Sequence, residues 1–141
     1  MLWISDRMPA SVDGDSALAD PRVRRVAIAN PDVAPYGQAA LQVLARFGNS
    51  RRTMIHGEDA AQAAQMAGAG ADAALLPLSL AQSPSLRAAG RVITLADSTY
   101  SHIWHAAVAL QDGGRMAEAF VEFLTSPDAR ELLSQHGYMV P

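Results

Sequence analysis

Several groups of side chains in this sequence have types and spacings that suit chemistry. His102 and His105 stand three apart, as a metal pair would. In a strand an odd offset sends the two to opposite faces, so a metal is set aside. His56 beside Glu58 and Asp59 suggests proton transfer, but acidic residues also suit the first turn of a helix, where the dipole favours them. Ser79 lacks the G-x-S-x-G surround of a nucleophile elbow. With no cysteine, thiolate chemistry and disulfides are excluded. Neither a P-loop nor a G-x-G-x-x-G turn is present to cradle a nucleotide. Arg24-Arg25 and Arg51-Arg52 read as solvated strand ends, Glu118 and Glu122 as one solvated helix face, and Trp3 and Trp104 as packing residues. The remaining chemistry belongs to the backbone. The loops Asn30 to Gly37 and Leu76 to Ser79 each follow an apolar strand and precede a helical pattern. A helix start turns N–H groups outward, which suits an oxyanion. Pro31 and Pro35 stiffen the first loop and Gly37 closes it.

The elements that must hold these loops follow a βαβα order from Val23 onward. Val23 to Ala29 reads as a buried strand, and Gln38 to Phe47 as a helix striped by Ala40, Leu41, Leu44, Ala45 and Phe47, ended by Gly48. Thr53 to Ile55 is a short strand and Glu58 to Met66 a second helix, stopped by Gly68 and Gly70. Asp72 to Leu76 is almost wholly apolar, as in a sheet covered on both faces. Pro77 to Leu80 opens a short helix, and Arg91 to Leu95 is a fourth strand. The last third differs. Ile103 to Leu110 reads as a strand and Arg115 to Leu124 as an amphipathic helix. Ser126-Pro127-Asp128 is a helix start with Ser as N-cap, and that helix ends at Gly137. Residues 1 to 22 hold only a short apolar piece, Met1 to Ile4, and a polar stretch closed by Asp20-Pro21, so the chain looks as if its beginning were missing.

Composition narrows the class. The 141 residues suffice for one domain with a core. There are 28 alanines, eleven arginines and no lysine, and the net charge is −3. With no basic stripe, no nucleic-acid partner is expected. No apolar run approaches the roughly 20 residues of a membrane span. The first residues do not form a signal peptide, so either the protein stays inside or a leader is absent.

Val26-Ala27-Ile28-Ala29-Asn30-Pro31-Asp32-Val33-Ala34-Pro35-Tyr36-Gly37 resembles the AIANPxxAPYG stretch of the periplasmic molybdate-binding proteins of ABC importers. The resemblance continues through Gly57-Glu58-Asp59, through Ala71 to Ala81, through Ala119 to Pro127, and at Gly137-Tyr138. Leu2-Trp3 matches the family's LWS segment. It implies an α/β, type II periplasmic-binding-protein-like fold, represented by the second lobe and the C-terminal return to the first. Residues 1–21 would be a remnant of the first lobe and the crossing segment, 22–98 the second lobe, and 99–141 the returning strand and helices. The family's opening region, with its serine ligands, would be absent.

By the same resemblance the chain binds molybdate, perhaps tungstate, as the solute-binding component of an ABC importer. The ligands would be the backbone N–H groups of Tyr36 and Leu76, with Pro35 and Gly37 shaping the loop. A tyrosine that some members add falls at Ala106, with Tyr100 off register. No catalysis, cofactor or metal cation is implied. The partner would be the importer's membrane permease and the location the periplasm, although the sequence shows no signal peptide. The rival readings are an anion-sensing effector domain of a regulator and a truncated module without anion affinity. Met116, Phe120, Phe123, Leu124, Leu132 and Leu133 would lack part of their cover, so a homodimer through 99–141 is expected.

Overall fold

The structure, a computed structural model, describes residues 1–48 and 52–140. Its sheet is assembled around the strand that the sequence left without a partner. Leu2–Ser5 (β1) is buried at all four residues and runs antiparallel to Ala73–Leu75 (β4) on one side and Gly90–Ile93 (β5) on the other. Arg25–Ala29 (β2) pairs in parallel with both β4 and Thr53–Gly57 (β3), giving the order β3-β2-β4-β1-β5. Residues 2–5 are thus joined to strands that lie about 70 to 90 positions further along the chain. They are an inner strand of the sheet. Two partners come from far along the chain, and a local reading of four residues cannot reveal them.

Alternation along the strands supplies two apolar faces. Leu2, Ile4, Val26, Ile28, Ala73 and Leu75 face one cluster, joined by Ala40, Val43 and Leu44 of helix α1 (Pro35–Ala45) and by Val12, Leu18, Val23 and Leu95. Trp3, Ala27, Ala74 and Leu76 face the other, with Ala63 and Ala67 of helix α2 (Ala60–Gly70) and Leu86 of α4 (Pro84–Arg87). The alanines on this second face leave room for the Trp3 indole, whose Nε1 donates to the Leu86 carbonyl at 2.9 Å. Gly90 makes the same accommodation: a Cβ there would lie 2.4 Å from the Trp3 ring. Between β4 and α4 lies the expected short helix, α3 (Leu78–Ala81).

Local signals explain most boundaries. The Asp59 side chain caps α2 by accepting from the Gln62 N–H at 2.8 Å, and the Gln62 side chain accepts from the Glu58 N–H at 2.6 Å. That helix passes Gly68 and stops at Gly70, whose φ is 144°. Arg51 lies outside the described residues. Arg52 is not a solvated end: its guanidinium donates to the Phe47 and Gly48 carbonyls just past α1, and burial lowers its pKa. Arg24 and Arg25 are exposed, and the Asp72 carboxylate accepts both of their backbone N–H groups.

The chain divides into two units, Met1–Ile103 and Trp104–Pro141. The second holds two helices, α5 (Gly114–Leu124) and α6 (Pro127–Gln135). The Ser126 side chain caps α6 by accepting from the Ala129 N–H, as its sequence signal implies. The strand expected over Ile103 to Leu110 does not form. A strand exists only as half of a ladder, and no ladder among the described residues includes this stretch. Trp104, expected to pack, is 83% exposed. No helix among the described residues is long and apolar enough to cross a membrane.

Candidate functional site

The parallel register of β2 and β4, with Ala27 opposite Ala74, brings the carboxyl ends of both strands to one edge of the sheet. The two loops singled out in the sequence leave from that edge. Ala29 is paired with Gly57, so the β3 exit lies there too. In an open α/β sheet this is the edge where ligands bind.

Helix α1 starts three residues earlier than the expected Gln38. Ala34 is the N-cap, Pro35 the first residue and Tyr36 the second. Proline at the first position costs no helical hydrogen bond. The Tyr36 amide thus belongs to the first turn, the set directed along the axis from a helix N-terminus. Gly37 is buried, and a Cβ on it would lie 2.3 Å from the Ala29 carbonyl oxygen and 2.7 Å from the Pro31 nitrogen. Only glycine lets the helix start lie flat on the exit of β2.

Leu76 differs from its expected role. Its N–H donates to the Met1 carbonyl at 3.0 Å, and its own carbonyl accepts from the Met1 nitrogen at 2.9 Å. These bonds extend the β1–β4 ladder by one pair beyond Leu2–Leu75. The Leu76 N–H is thus engaged in the sheet, because β1 lies beside β4 on that flank.

Asn30 was passed over in the sequence as one loop residue among eight. Its N–H donates to the Gly57 carbonyl at 2.7 Å, its Oδ1 accepts from the Asp32 N–H at 3.0 Å, and its carbonyl accepts from the Ala34 N–H at 2.9 Å. The Asn-Pro pair was the available signal, since asparagine side chains commonly close turns on the backbone two residues on.

The charged side chains in the loops after β2 and β3 are acidic: Asp32 in the first, with Glu58 and Asp59 in the second. Asp59 is occupied as a helix cap, which removes it from the acid–base pairing with His56. Tyr100 packs against the α1-side cluster, where burial and the Asp97 charge raise its pKa. His105 meets the Tyr138 ring edge-on at 5.6 Å within the second unit. Among the described residues no group of three or more His, Asp or Glu is placed to hold a metal ion.

With this arrangement in view, comparison with known proteins is decisive. A family model described as bacterial extracellular solute-binding protein matches residues 1–139. The chain belongs to this family. It is 32% identical over 145 residues to the molybdate-binding protein ModA of Azotobacter vinelandii, covering 98% of this chain and 57% of the relative. It is 31% identical over 144 residues to the protein of the same name from Rhodobacter capsulatus, covering 99% and 56%. A solved structure, the periplasmic molybdate-binding protein of A. vinelandii, matches with a TM-score of 0.82 at 27% identity, over 99% of this chain and 64% of that one. The α/β class expected from the sequence is that of this solved relative. The chain spans a little over half the length of the curated relatives.

Proposed function

We propose that the chain binds a tetrahedral oxyanion, molybdate or its close analogue tungstate, as part of the solute-binding component of an ABC importer. It would act in the periplasm, deliver to a membrane permease and catalyse no reaction. The observation that supports this most strongly is the likeness, over nearly the whole chain, to relatives named for molybdate. The loop edge is consistent with it. Donors at a helix start hold a dianion without a cationic side chain. The first turn of α1, with the Tyr36 amide, is the proposed donor set, shaped by Pro35 and Gly37. Leu76 is not included, because its N–H is engaged by Met1.

Calorimetric titration of the 141-residue chain with molybdate and with sulfate, alone and with the part of a relative that the chain does not match, tests the reading. Molybdate binding strengthened by the added part is expected. Heat of dilution alone in every mixture would refute it. Tyr36→Phe should bind as wild type, since the phenol is not the donor; loss of binding would shift the role to the hydroxyl.

Residues 99–141 are proposed to return to the first lobe in the complete fold, and to pair two copies when the chain is by itself. Met116, Phe120 and Leu132 are more than half exposed. Sedimentation velocity at micromolar concentration should show a dimer, and a clean monomer of 14.9 kDa would exclude the pairing.

A further inference from the structure

The geometry points to Asn30 as the positioning residue that sets the N-terminus of α1 at the ligand edge, anchored from β3 by Gly57; its relevance to an anion rests on the function proposed above. Three polar groups of Asn30 take up four bonds. The N–H ties the loop sideways to the Gly57 carbonyl at 2.7 Å. The side-chain Oδ1 accepts from the Asp32 N–H at 3.0 Å, folding the chain back past Pro31. The carbonyl accepts from Ala34 at 2.9 Å and Val33 at 3.3 Å, the residues that lead into the helix.

The same residue is confined from two sides. The missing Cβ of Gly37 would lie 2.7 Å from the Asn30 carbonyl carbon, so the first turn of α1 rests directly on it. Its anchor has no freedom either: a Cβ on Gly57 would lie 2.4 Å from the Ala63 nitrogen and 3.0 Å from the Asp59 carbonyl oxygen. A displacement of Asn30 is therefore passed to the helix start. Aspartate offers the same acceptor but adds a negative charge to an edge that already carries Asp32, Glu58 and Asp59. Asparagine closes the turn without that charge.

Amide hydrogen exchange on the full chain, read residue by residue by NMR, tests the inference with Asn30→Ala and Asn30→Asp. Asn30→Ala should raise exchange at Asp32, Val33 and Ala34 at least tenfold while leaving the amides of β1 and β4 unchanged. Asn30→Asp, which keeps the acceptor, should restore wild-type rates in the loop. Loop rates within twofold of wild type in Asn30→Ala, or no restoration in Asn30→Asp, would overturn the assignment. A variant that loosens every strand equally would also overturn it, since the role would then be general stability. Molybdate titration of the same samples separates the two readings. Where wild type binds, Asn30→Ala should weaken binding tenfold or more, and Asn30→Asp should weaken it with the loop still ordered. Where wild type shows no shift with molybdate, the anion reading fails and the exchange rates alone decide the positioning role.

Discussion

Helices α2 and α5 are both eleven residues long, and they make opposite use of their apolar stripes. The stripe of α2 is small. Ala63 and Ala67 are fully buried, because Ala27, Ala74 and Trp3 of the sheet lie on the same face of the unit. The stripe of α5 is large: Met116, Phe120 and Phe123 follow helical spacing, yet no residue of that helix is buried. Stripe size thus says how much cover a helix calls for. Whether it has that cover depends on what lies opposite. In the first unit the small residues Ala27, Ala63, Ala67, Ala73 and Ala74 are all fully buried.

The strongest test of this contrast is a pair of truncations. Trp3→Ala should cost about 3–5 kcal/mol of unfolding free energy, the range for removing a buried aromatic, since its indole fills the α2 face and donates to Leu86. Phe120→Ala should stay within about 0.5 kcal/mol, as exposed substitutions do. Urea unfolding measures both, and a large loss in Phe120→Ala would show that α5 is covered in solution.

Gly37→Ala comes next. Its Cβ would meet backbone atoms, which cannot rotate away. A loss of about 2–3 kcal/mol is expected from such overpacking, and an unchanged urea midpoint would mean that α1 stands off β2.

The helix caps sharpen the contrast at a smaller scale. Asp59→Ala and Ser126→Ala each remove one side-chain acceptor at a helix start, worth about 1 kcal/mol. The first should lower the melting midpoint of the sheet-containing unit. The second should leave that midpoint alone and raise exchange only in α6. A shift of the main transition by Ser126→Ala would show the two units melting as one.

The smallest effect concerns acid. The Arg22 side chain and backbone N–H hold the Asp20 carboxyl at about 2, below its ordinary 3.8. A folded value below the unfolded one adds stability that is complete above about pH 4 and fades as pH falls through 2. Arg22 is exposed and Asp20 is only partly covered, so solvent screens the pair and the contribution is slight. Asp20→Asn should flatten the acid limb between pH 4 and 2, and an identical limb in the variant would remove Asp20 from the account.

How legible the sequence was follows from the range of each signal. The strand expected over Val23 to Ala29, which forms over Arg25–Ala29, and the cap at Ser126 are local, and residue types place them. The fate of Leu76 was not legible. Its donor goes to Met1, and that depends on β1 lying between β4 and β5 in an antiparallel sense. Trp104 misled for the reverse reason: its type suggests burial, yet its surface is 83% exposed. Arg52 was misread because a guanidinium was given to solvent when unfilled carbonyls lay within reach at the end of α1.

The inner position of β1 also orders events in time. Leu2 is paired with Leu75 on one side and with Ile93 on the other. Residues near the start of the chain therefore stay unpaired until residues near position 75 are available, and they gain their second partner only near position 93. Loops of that length close slowly, and sheets rich in distant pairings fold slowly. During synthesis β2, β3 and α1 can associate early, while the apolar Leu-Trp-Ile segment stays open to wrong contacts. Pulse-labelled exchange should accordingly protect the amides of β2 before those of β1.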